Sequence, residues 1–104
     1  MSTTAPAGPL DPLAAFRLDG RVAIVTGASV GLGRRFARVL HAAGATVVVT
    51  ARRAELLEQL ADELGDERVV VVPGDVSVEA DRRALVTRAV AAGGRLDVLV
   101  NNAG

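Results

Sequence analysis

The sequence predicts an α/β fold built on a doubly wound parallel sheet, and three observations lead to this prediction. Short apolar runs rich in β-branched residues recur along the chain. Stretches with the apolar spacing of a helix lie between them, and glycine follows each stretch. Strands that alternate with helices in this way are joined by right-handed crossovers, which make all the strands parallel.

The first unit of this alternation is a strand, a helix and a second strand. Val22–Val25 is apolar and β-branched, as expected of a strand buried on both faces, and Thr46–Thr50 is a second such run. The helix between them is expected to pack one apolar stripe on the sheet and to end at Gly44. That stripe consists of Leu32, Phe36, Val39, Leu40 and Ala43.

The second helix and the third strand repeat the pattern. Gly65 can end the helix, and the strand Val69–Val72 stops at Pro73 and Gly74. The inward face of the helix consists of Leu56, Leu57, Leu60, Ala61 and Leu64.

A third helix and a fourth strand complete the series. Ser77 is predicted to cap the helix, Gly93 and Gly94 to end it, and Leu96–Val100 to form the strand. The predicted strand order is 3-2-1-4, with three helices. The inward positions of the third helix are Leu85, Val86, Ala89 and Val90.

The chain of 104 residues is long enough for one domain or for part of one. Three helices cannot cover both faces of a four-stranded sheet, so we expect a partial fold whose later strands are missing. Residues 1–15, rich in proline, are predicted to be a disordered leader, and residues 16–104 the N-terminal part of the domain. Such a piece is expected to be marginally stable and to self-associate through the Leu96–Val100 edge.

The composition excludes several classes of function. Twelve acidic and twelve basic residues give no net charge, which disfavours nucleic acid and anionic membranes as partners. With no cysteine and one histidine, the chain has neither disulfides nor the ligands for a protein-only metal site. It has no lysine or tyrosine, which excludes catalysis by those side chains. The amino terminus does not resemble a signal peptide, so we expect a cytoplasmic protein.

The turn after the first strand has the composition of a phosphate-binding loop. Gly27 can make the turn, Gly31 leaves room for a pyrophosphate, and Gly33 lets the helix pack closely on the sheet. The free N–H groups and the positive dipole end of the first helix would face the phosphates. In the βαβ context we therefore predict a bound dinucleotide rather than a glycine turn without a ligand. Ser29, without an adjacent base, is expected to hydrogen-bond that ligand rather than to act as a nucleophile.

The residues after the second strand indicate which dinucleotide is bound. Where an acidic residue would hydrogen-bond the adenosine ribose, the sequence has Arg52 and Arg53. Guanidinium groups form charge-assisted hydrogen bonds to a 2′-phosphate, so NADP(H) is favoured over NAD(H). The alternative is that these arginines are solvated cations at the start of the next helix.

Polar residues also follow the third and fourth strands. Asp75 either accepts a hydrogen bond from an adenine amino group, with Val76 against the base, or bonds its own backbone in a turn. Asn101 and Asn102 lie at the carboxyl edge of the sheet, where ligands bind in open α/β folds, or are ordinary turn residues.

Three motifs make the chain resemble the short-chain dehydrogenase/reductase family of NAD(P)-dependent oxidoreductases: TGASVGLG at 26–33, GDV at 74–76 and LDVLVNNAG at 96–104. The resemblance runs from about residue 16 to residue 104. It implies a Rossmann-type fold and hydride transfer between nicotinamide and an alcohol or ketone. It also implies an N-terminal fragment that ends at the NNAG motif, because the family's catalytic Ser and Tyr-x-x-x-Lys and its substrate pocket come later. No catalytic residue is assigned here, and the chain by itself is expected to be inactive.

The same resemblance implies where the coenzyme lies. The glycine loop would line the pyrophosphate and the nicotinamide side, Arg52 the adenosine ribose, and the Asp75–Val76 pair the adenine. The NNAG motif would lie at the riboses, except that Asn101 would tie neighbouring strands together. Val30 departs from the family, because NADP-using members often carry a basic residue there. With Arg53, the implied cofactor-binding residues are Gly27, Ser29, Val30, Gly31, Leu32, Gly33, Arg52, Arg53, Asp75, Val76, Asn102, Ala103 and Gly104.

Other charged residues are expected to be structural. His41 is interpreted as an ordinary surface or helix-terminal residue, and Arg34 and Arg35 as solvated rather than facing phosphate. An acidic cluster is interpreted as a solvated face rather than a metal site. Its members are Asp62, Glu63, Asp66 and Glu67.

Two other classes of function remain open. The chain could be a non-catalytic nucleotide-binding or interaction module that pairs through its fourth strand. It could also be part of an S-adenosylmethionine-dependent methyltransferase, which Arg52 and Arg53 disfavour because an acid would hold that ligand's ribose.

Overall fold

The computed structural model describes residues 17–65 and 67–102. Within these ranges the chain forms one parallel sheet, in the order β3-β2-β1-β4, with a helix after each of the first three strands. This confirms the predicted α/β fold and strand order, while the predicted leader at 1–15 lies outside the described residues. The elements are β1 Val22–Thr26, α1 Gly31–Ala42, β2 Thr46–Thr50, α2 Ala54–Leu64, β3 Val69–Val71, α3 Glu79–Gly93 and β4 Val98–Val100.

The core consists of two layers on opposite faces of the central strands. Alternate residues of a strand point to opposite faces, so Val25 and Val49 pack with α1 and α2, whereas Ile24 and Val48 pack with α3. All of β1 and nearly all of β2 are buried, as predicted for strands covered on both faces.

The apolar faces of two helices differ from the prediction. In α1, Leu32 and Val39 are 56% and 59% exposed, and the residues buried against the sheet are Gly33 and Ala37. Small residues at this spacing let the helix backbone approach the strands, while Phe36 and Leu40 of the predicted stripe are partly buried against the same core. In α3, Leu85 and Ala89 are buried as predicted, but Val86 and Val90 are each 45% exposed.

The ends of the elements also refine the predictions. Gly65 and Gly94 adopt the left-handed conformation at the ends of α2 and α3, as expected of helix-ending glycines. Ser77 does not cap α3, because the N-cap residue is Val78 and the Ser77 hydroxyl donates to Asp75 instead. β4 begins at Val98 rather than at Leu96, since the preceding Asp97 accepts a hydrogen bond from the Val22 N–H through its carboxylate at 2.9 Å.

Residues 17–65 and 67–102 lack two features, a membrane-spanning helix and a metal-binding cluster. No helix there is long and apolar enough to cross a membrane. No group of three or more His, Cys, Asp or Glu side chains there could hold a metal ion.

Candidate functional site

A cleft of about 630 Å³ opens at the carboxyl edge of the sheet, where the loops after the first three strands meet the end of β4. In parallel α/β sheets this edge is where ligands bind. Backbone bonds join the loops to one another: the Ala28 N–H donates to the Thr50 carbonyl at 3.2 Å, and the Gly74 N–H to the Ala51 carbonyl at 3.0 Å. The cleft is lined by Gly27, Ser29, Val30, Thr50, Ala51, Arg52, Arg53, Gly74, Asp75, Val76, Ser77 and Asn102.

The glycine loop between β1 and α1 depends on the absence of side chains. Gly27 has φ +62° and Gly31 has φ +59°, a region that other L-residues rarely adopt. A Cβ on Gly33 would collide with the Gly27 carbonyl oxygen and lie 2.7 Å from Asn102 Nδ2. A Cβ on Gly31 would meet no atom within 4 Å, so open space lies beside the backbone at the start of α1.

The buried Thr26 hydroxyl connects the end of β1 to the residues after β4. Its oxygen accepts a hydrogen bond from the Asn102 N–H at 2.8 Å, and its hydrogen faces the Val100 carbonyl at 3.2 Å and Asn101 Oδ1 at 3.3 Å. Asn101 therefore contacts the neighbouring strand, and Asn102 lies beneath the glycine loop.

Arg34 was predicted to be a solvated cation, and this prediction was wrong. Its side chain is 21% exposed, forms an ion pair with Glu63 on α2 at 2.9 Å, and donates to the Ser29 carbonyl of the glycine loop at 3.4 Å. Arg38 also pairs with Glu63, and these two guanidinium groups, Arg38 foremost, lower the pKa of Glu63 to about 2. Through these two ion pairs Glu63 joins α1 to α2.

The other charged residues that were expected to be structural lie at the surface or at a helix end. His41 lies in the last turn of α1, as predicted for a helix-terminal residue, with its Nε2 2.8 Å from the Glu67 carbonyl oxygen. Asp62 and Arg35 are exposed, and Asp66 lies outside the described residues.

Two exposed arginines follow β2 at the mouth of the cleft. Arg53 Nε lies 3.4 Å from Glu55 Oε1, an ion pair between side chains that are 69% and 65% exposed. Arg52 forms none of the ion pairs found in the described part of the chain, and its charge acts on Asp75 across the cleft.

In the loop after β3, Asp75 hydrogen-bonds the nearby backbone in a turn, which is one of the two roles predicted for it. Asp75 Oδ1 accepts hydrogen bonds from the Ser77 N–H at 2.8 Å and the Ser77 hydroxyl at 2.6 Å. These bonds lower the pKa of Asp75, with a smaller contribution from the charge of Arg52. The turn engages only Oδ1, so an adenine contact through Oδ2 remains compatible with it.

The structure brings most of the predicted site residues together. Eight of them line the cleft, whereas Gly31, Leu32 and Gly33 do not, and Ala103 and Gly104 lie outside the described residues. Sequence reasoning did not assign Thr50, Ala51, Gly74 or Ser77 to the site. The available signal was their position along the chain: Ala51 and Gly74 lie just after predicted strands, Thr50 is the last residue of one, and Ser77 follows the Asp75–Val76 pair. The eight are Gly27, Ser29, Val30, Arg52, Arg53, Asp75, Val76 and Asn102.

A parallel sheet in this order, with a glycine loop opening onto its carboxyl edge, defines the Rossmann-type class of α/β proteins. The sequence model of one family in this class, described as short chain dehydrogenase, matches residues 21–104. The chain belongs to the short-chain dehydrogenase family, whose members are NAD(P)-dependent oxidoreductases.

Two curated relatives illustrate the similarity. Nodulation protein G of Rhizobium sp. (strain N33) is 52% identical over 89 residues, which are 86% of this chain and 36% of that protein. The 11-beta-hydroxysteroid dehydrogenase 1A of Arabidopsis thaliana is 46% identical over 90 residues, which are 84% of this chain and 26% of that protein. The chain therefore spans between about a quarter and just over a third of the length of these relatives.

Two solved structures also superpose with most of this chain, which corresponds to only part of their own length. Glucose dehydrogenase of Caenorhabditis elegans in its apo-form superposes with a TM-score of 0.81 and 36% identity, over 85% of this chain and 39% of that one. The 3-ketoacyl-(acyl-carrier-protein) reductase of Brucella melitensis, solved with NADH, superposes with a TM-score of 0.79 and 41% identity, over 84% of this chain and 35% of that one.

Proposed function

We propose that residues 16–104 are the coenzyme-binding part of an NAD(P)-dependent short-chain oxidoreductase and that they bind NADP(H) in preference to NAD(H). The observation that carries the proposal is the cleft itself, which the glycine loop, the two arginines after β2 and the Asp75 loop line together. Family membership supports a dinucleotide as the ligand.

The amino-terminal end of α1 fits a diphosphate. Its N-cap residue, Val30, provides no side-chain hydrogen bond, and its first turn contains no acidic residue. The N–H groups of the first turn therefore have no capping side chain, and Gly31 leaves open space beside them. An anion would complete these hydrogen bonds and would be stabilised by the helix dipole.

Each side of the cleft has a proposed partner in the coenzyme. The glycine loop would hold the diphosphate. Arg52 would bind the adenosine ribose and its 2′-phosphate. Asp75 and Val76 would face the adenine, and Asn102 the riboses, together with Ala103 and Gly104. When bound, the nicotinamide supplies the hydride that the family exchanges with substrate.

The preference for NADP(H) follows from charge. Arg52 has no carboxylate ion-pair partner in the described residues, so it can form a charge-assisted hydrogen bond to a 2′-phosphate. Arg53 is already paired with Glu55, and Val30 adds no cation. We therefore assign the preference mainly to Arg52.

The reaction proposed for the whole protein is hydride transfer between the nicotinamide and an alcohol or ketone. The 104 residues contain no tyrosine or lysine, so they cannot supply the family's Tyr-x-x-x-Lys proton transfer. We propose that these residues by themselves bind coenzyme without turning over substrate. A cytoplasmic location and the absence of nucleic-acid binding, given the zero net charge, belong to the same proposal.

Calorimetric titration of the chain with NADPH and NADH tests the proposal. We expect NADPH to bind more tightly, and Arg52→Gln to weaken NADPH about tenfold or more while leaving NADH nearly unchanged. Arg53→Gln should have a smaller effect, and Arg88→Gln, an exposed position on α3, should have none. Binding of neither nucleotide would refute the proposal, and a preference for NADH would refute its choice of coenzyme.

A further inference from the structure

Two neighbouring side chains of α3 hold the loop that joins β3 to α3. Asp81 Oδ2 accepts a hydrogen bond from the backbone N–H of Asp75 at 2.8 Å. Arg82 Nη1 donates to the Val76 carbonyl at 2.7 Å. We propose that Asp81 and Arg82 are positioning residues for the adenine end of the coenzyme, an inference that rests on the proposed function.

The two contacts fix both ends of the dipeptide that faces the cleft. The N–H of Asp75 and the carbonyl of Val76 flank the side chains of these residues, so holding both groups sets the direction of those side chains. Both residues line the cleft, whereas Asp81 and Arg82 do not. Any effect of Asp81 or Arg82 on the adenine must therefore pass through the loop.

Gly74 leaves room for the Asp81 carboxylate beside the loop. A Cβ on Gly74 would lie 3.3 Å from Asp81 Oδ2, which is closer than most such contacts. A side chain at residue 74 would therefore require the carboxylate to shift by a few tenths of an ångström. Asp81 also lies in the first turn of α3, where a negative charge is favourable.

The beginning of α3 also contains an acidic and a basic residue that pair with each other rather than with the loop, and they serve as controls for Asp81 and Arg82. Glu79 and Arg83 form an ion pair with each other at 2.6 Å, and their side chains are 65% and 79% exposed. Glu79→Ala therefore removes a carboxylate from the first turn as Asp81→Ala does, and Arg83→Ala removes a guanidinium next to Arg82. The two pairs differ in whether they contact the loop.

The ligand experiment compares NADPH with its adenine half, adenosine 2′,5′-bisphosphate. In the full chain we expect Asp81→Ala and Arg82→Ala each to weaken both ligands about fivefold, because the lost hydrogen bonds act only on the adenine end. Glu79→Ala and Arg83→Ala should leave both affinities unchanged. Asp81→Asn keeps an acceptor oxygen and should retain most of the affinity.

Amide hydrogen exchange tests the loop without any nucleotide. We expect Asp81→Ala to accelerate exchange at the Asp75 N–H by about tenfold or more relative to the amides of β1 and β2, and Glu79→Ala not to do so. A general loss of stability would instead accelerate exchange throughout the chain and would lower the unfolding midpoint in both variants.

Three results would overturn the inference: unchanged Asp75 exchange in Asp81→Ala, equal weakening by the control variants, or weaker binding of NADPH without weaker binding of the bisphosphate. If the unaltered chain bound neither ligand, the proposed function would fail and the adenine role with it. Asp75 exchange would then still decide separately whether Asp81 holds the loop.

Discussion

The two loops that flank the cleft are fixed by different means. The glycine loop takes its shape from backbone conformations at Gly27 and Gly31 and from close packing at Gly33. The loop after β3 takes its shape from side-chain hydrogen bonds, within itself at Asp75 and from α3 at Asp81.

This difference decides how each loop responds to substitution. A loop whose shape depends on glycine loses that shape when a side chain is added, because the closely packed backbone around it cannot move aside. A loop defined by polar contacts at the surface loses one hydrogen bond at a time, and each is worth little in water. We therefore expect large effects at the first loop and graded effects at the second.

The largest effect is expected from Gly33→Ala. The new Cβ would collide with the Gly27 carbonyl oxygen, so either the loop or the helix must move, at a cost of about 3 kcal/mol in unfolding free energy. Urea denaturation measures this cost, and NADPH titration should show a loss of binding. Arg35→Ala, an exposed change in the same turn, is the control, and equal stability of the two variants would contradict the packing argument.

A smaller loss is expected from Thr26→Val. The substitution keeps the side-chain volume but leaves the Asn102 N–H without the acceptor that now lies 2.8 Å away, which costs about 1–3 kcal/mol. Denaturant unfolding measures the loss, with Thr87→Val at an exposed position of α3 as the control. If both variants were equally stable, the Thr26 contact would not stabilise the glycine loop region.

The ion pairs of Glu63 predict that the stability of the chain depends on pH in the acidic range. Its pKa is lowered from the ordinary 4.5 to about 2, so its stabilising contribution is present above pH 4.5 and is lost as the pH falls towards 2. The difference in Tm between the unaltered chain and Glu63→Gln should therefore be largest near neutral pH and should shrink below pH 4.5. Arg35→Gln, which removes a cation that does not contact Glu63, should show no such convergence.

The smallest effect is expected at the second loop. Ser77→Ala removes the hydroxyl that donates to Asp75, so stability should change by no more than about 0.5 kcal/mol, while the pKa of Asp75 should rise. NMR titration of the Asp75 carboxyl measures this rise. Arg52→Gln should raise the same pKa less, and the reverse order would mean that charge rather than hydrogen bonding controls Asp75.

Much of the fold could be predicted because it depends on periodicity and glycine. β2 has the predicted bounds, and the strand order is the one expected of a mononucleotide-binding half with one further strand. The stripe on α1 was wrong at Leu32 and Val39, because apolar spacing does not show that a helix approaches its sheet through Gly33 and Ala37.

The site was predictable to the extent that it depends on strand ends. Residues that follow a strand line the cleft, as Arg52 and Asn102 do, and their roles toward a coenzyme stay predictions. The ion pair of Arg34 with Glu63 was not predicted, because it depends on how α1 packs on α2. The hydrogen bond that Asp81 accepts from the Asp75 N–H was not predicted, because it depends on the path of the loop before α3. The predicted cap at Ser77 was wrong for a local reason, since the Ser77 hydroxyl donates to Asp75, two residues before it, rather than capping the helix.

The register of the sheet has a consequence for the depth of the site. Thr26 lies opposite Thr50, so β1 and β2 end at the same level, and Val25 lies opposite Val100, so β4 ends one residue short of it. A slip of one residue in any of them would raise or lower its loop by roughly 3.3 Å and turn its inward side chains to the other face. The packing of the core valines thus sets the height of the loops that line the cleft, although these valines do not line the cleft themselves.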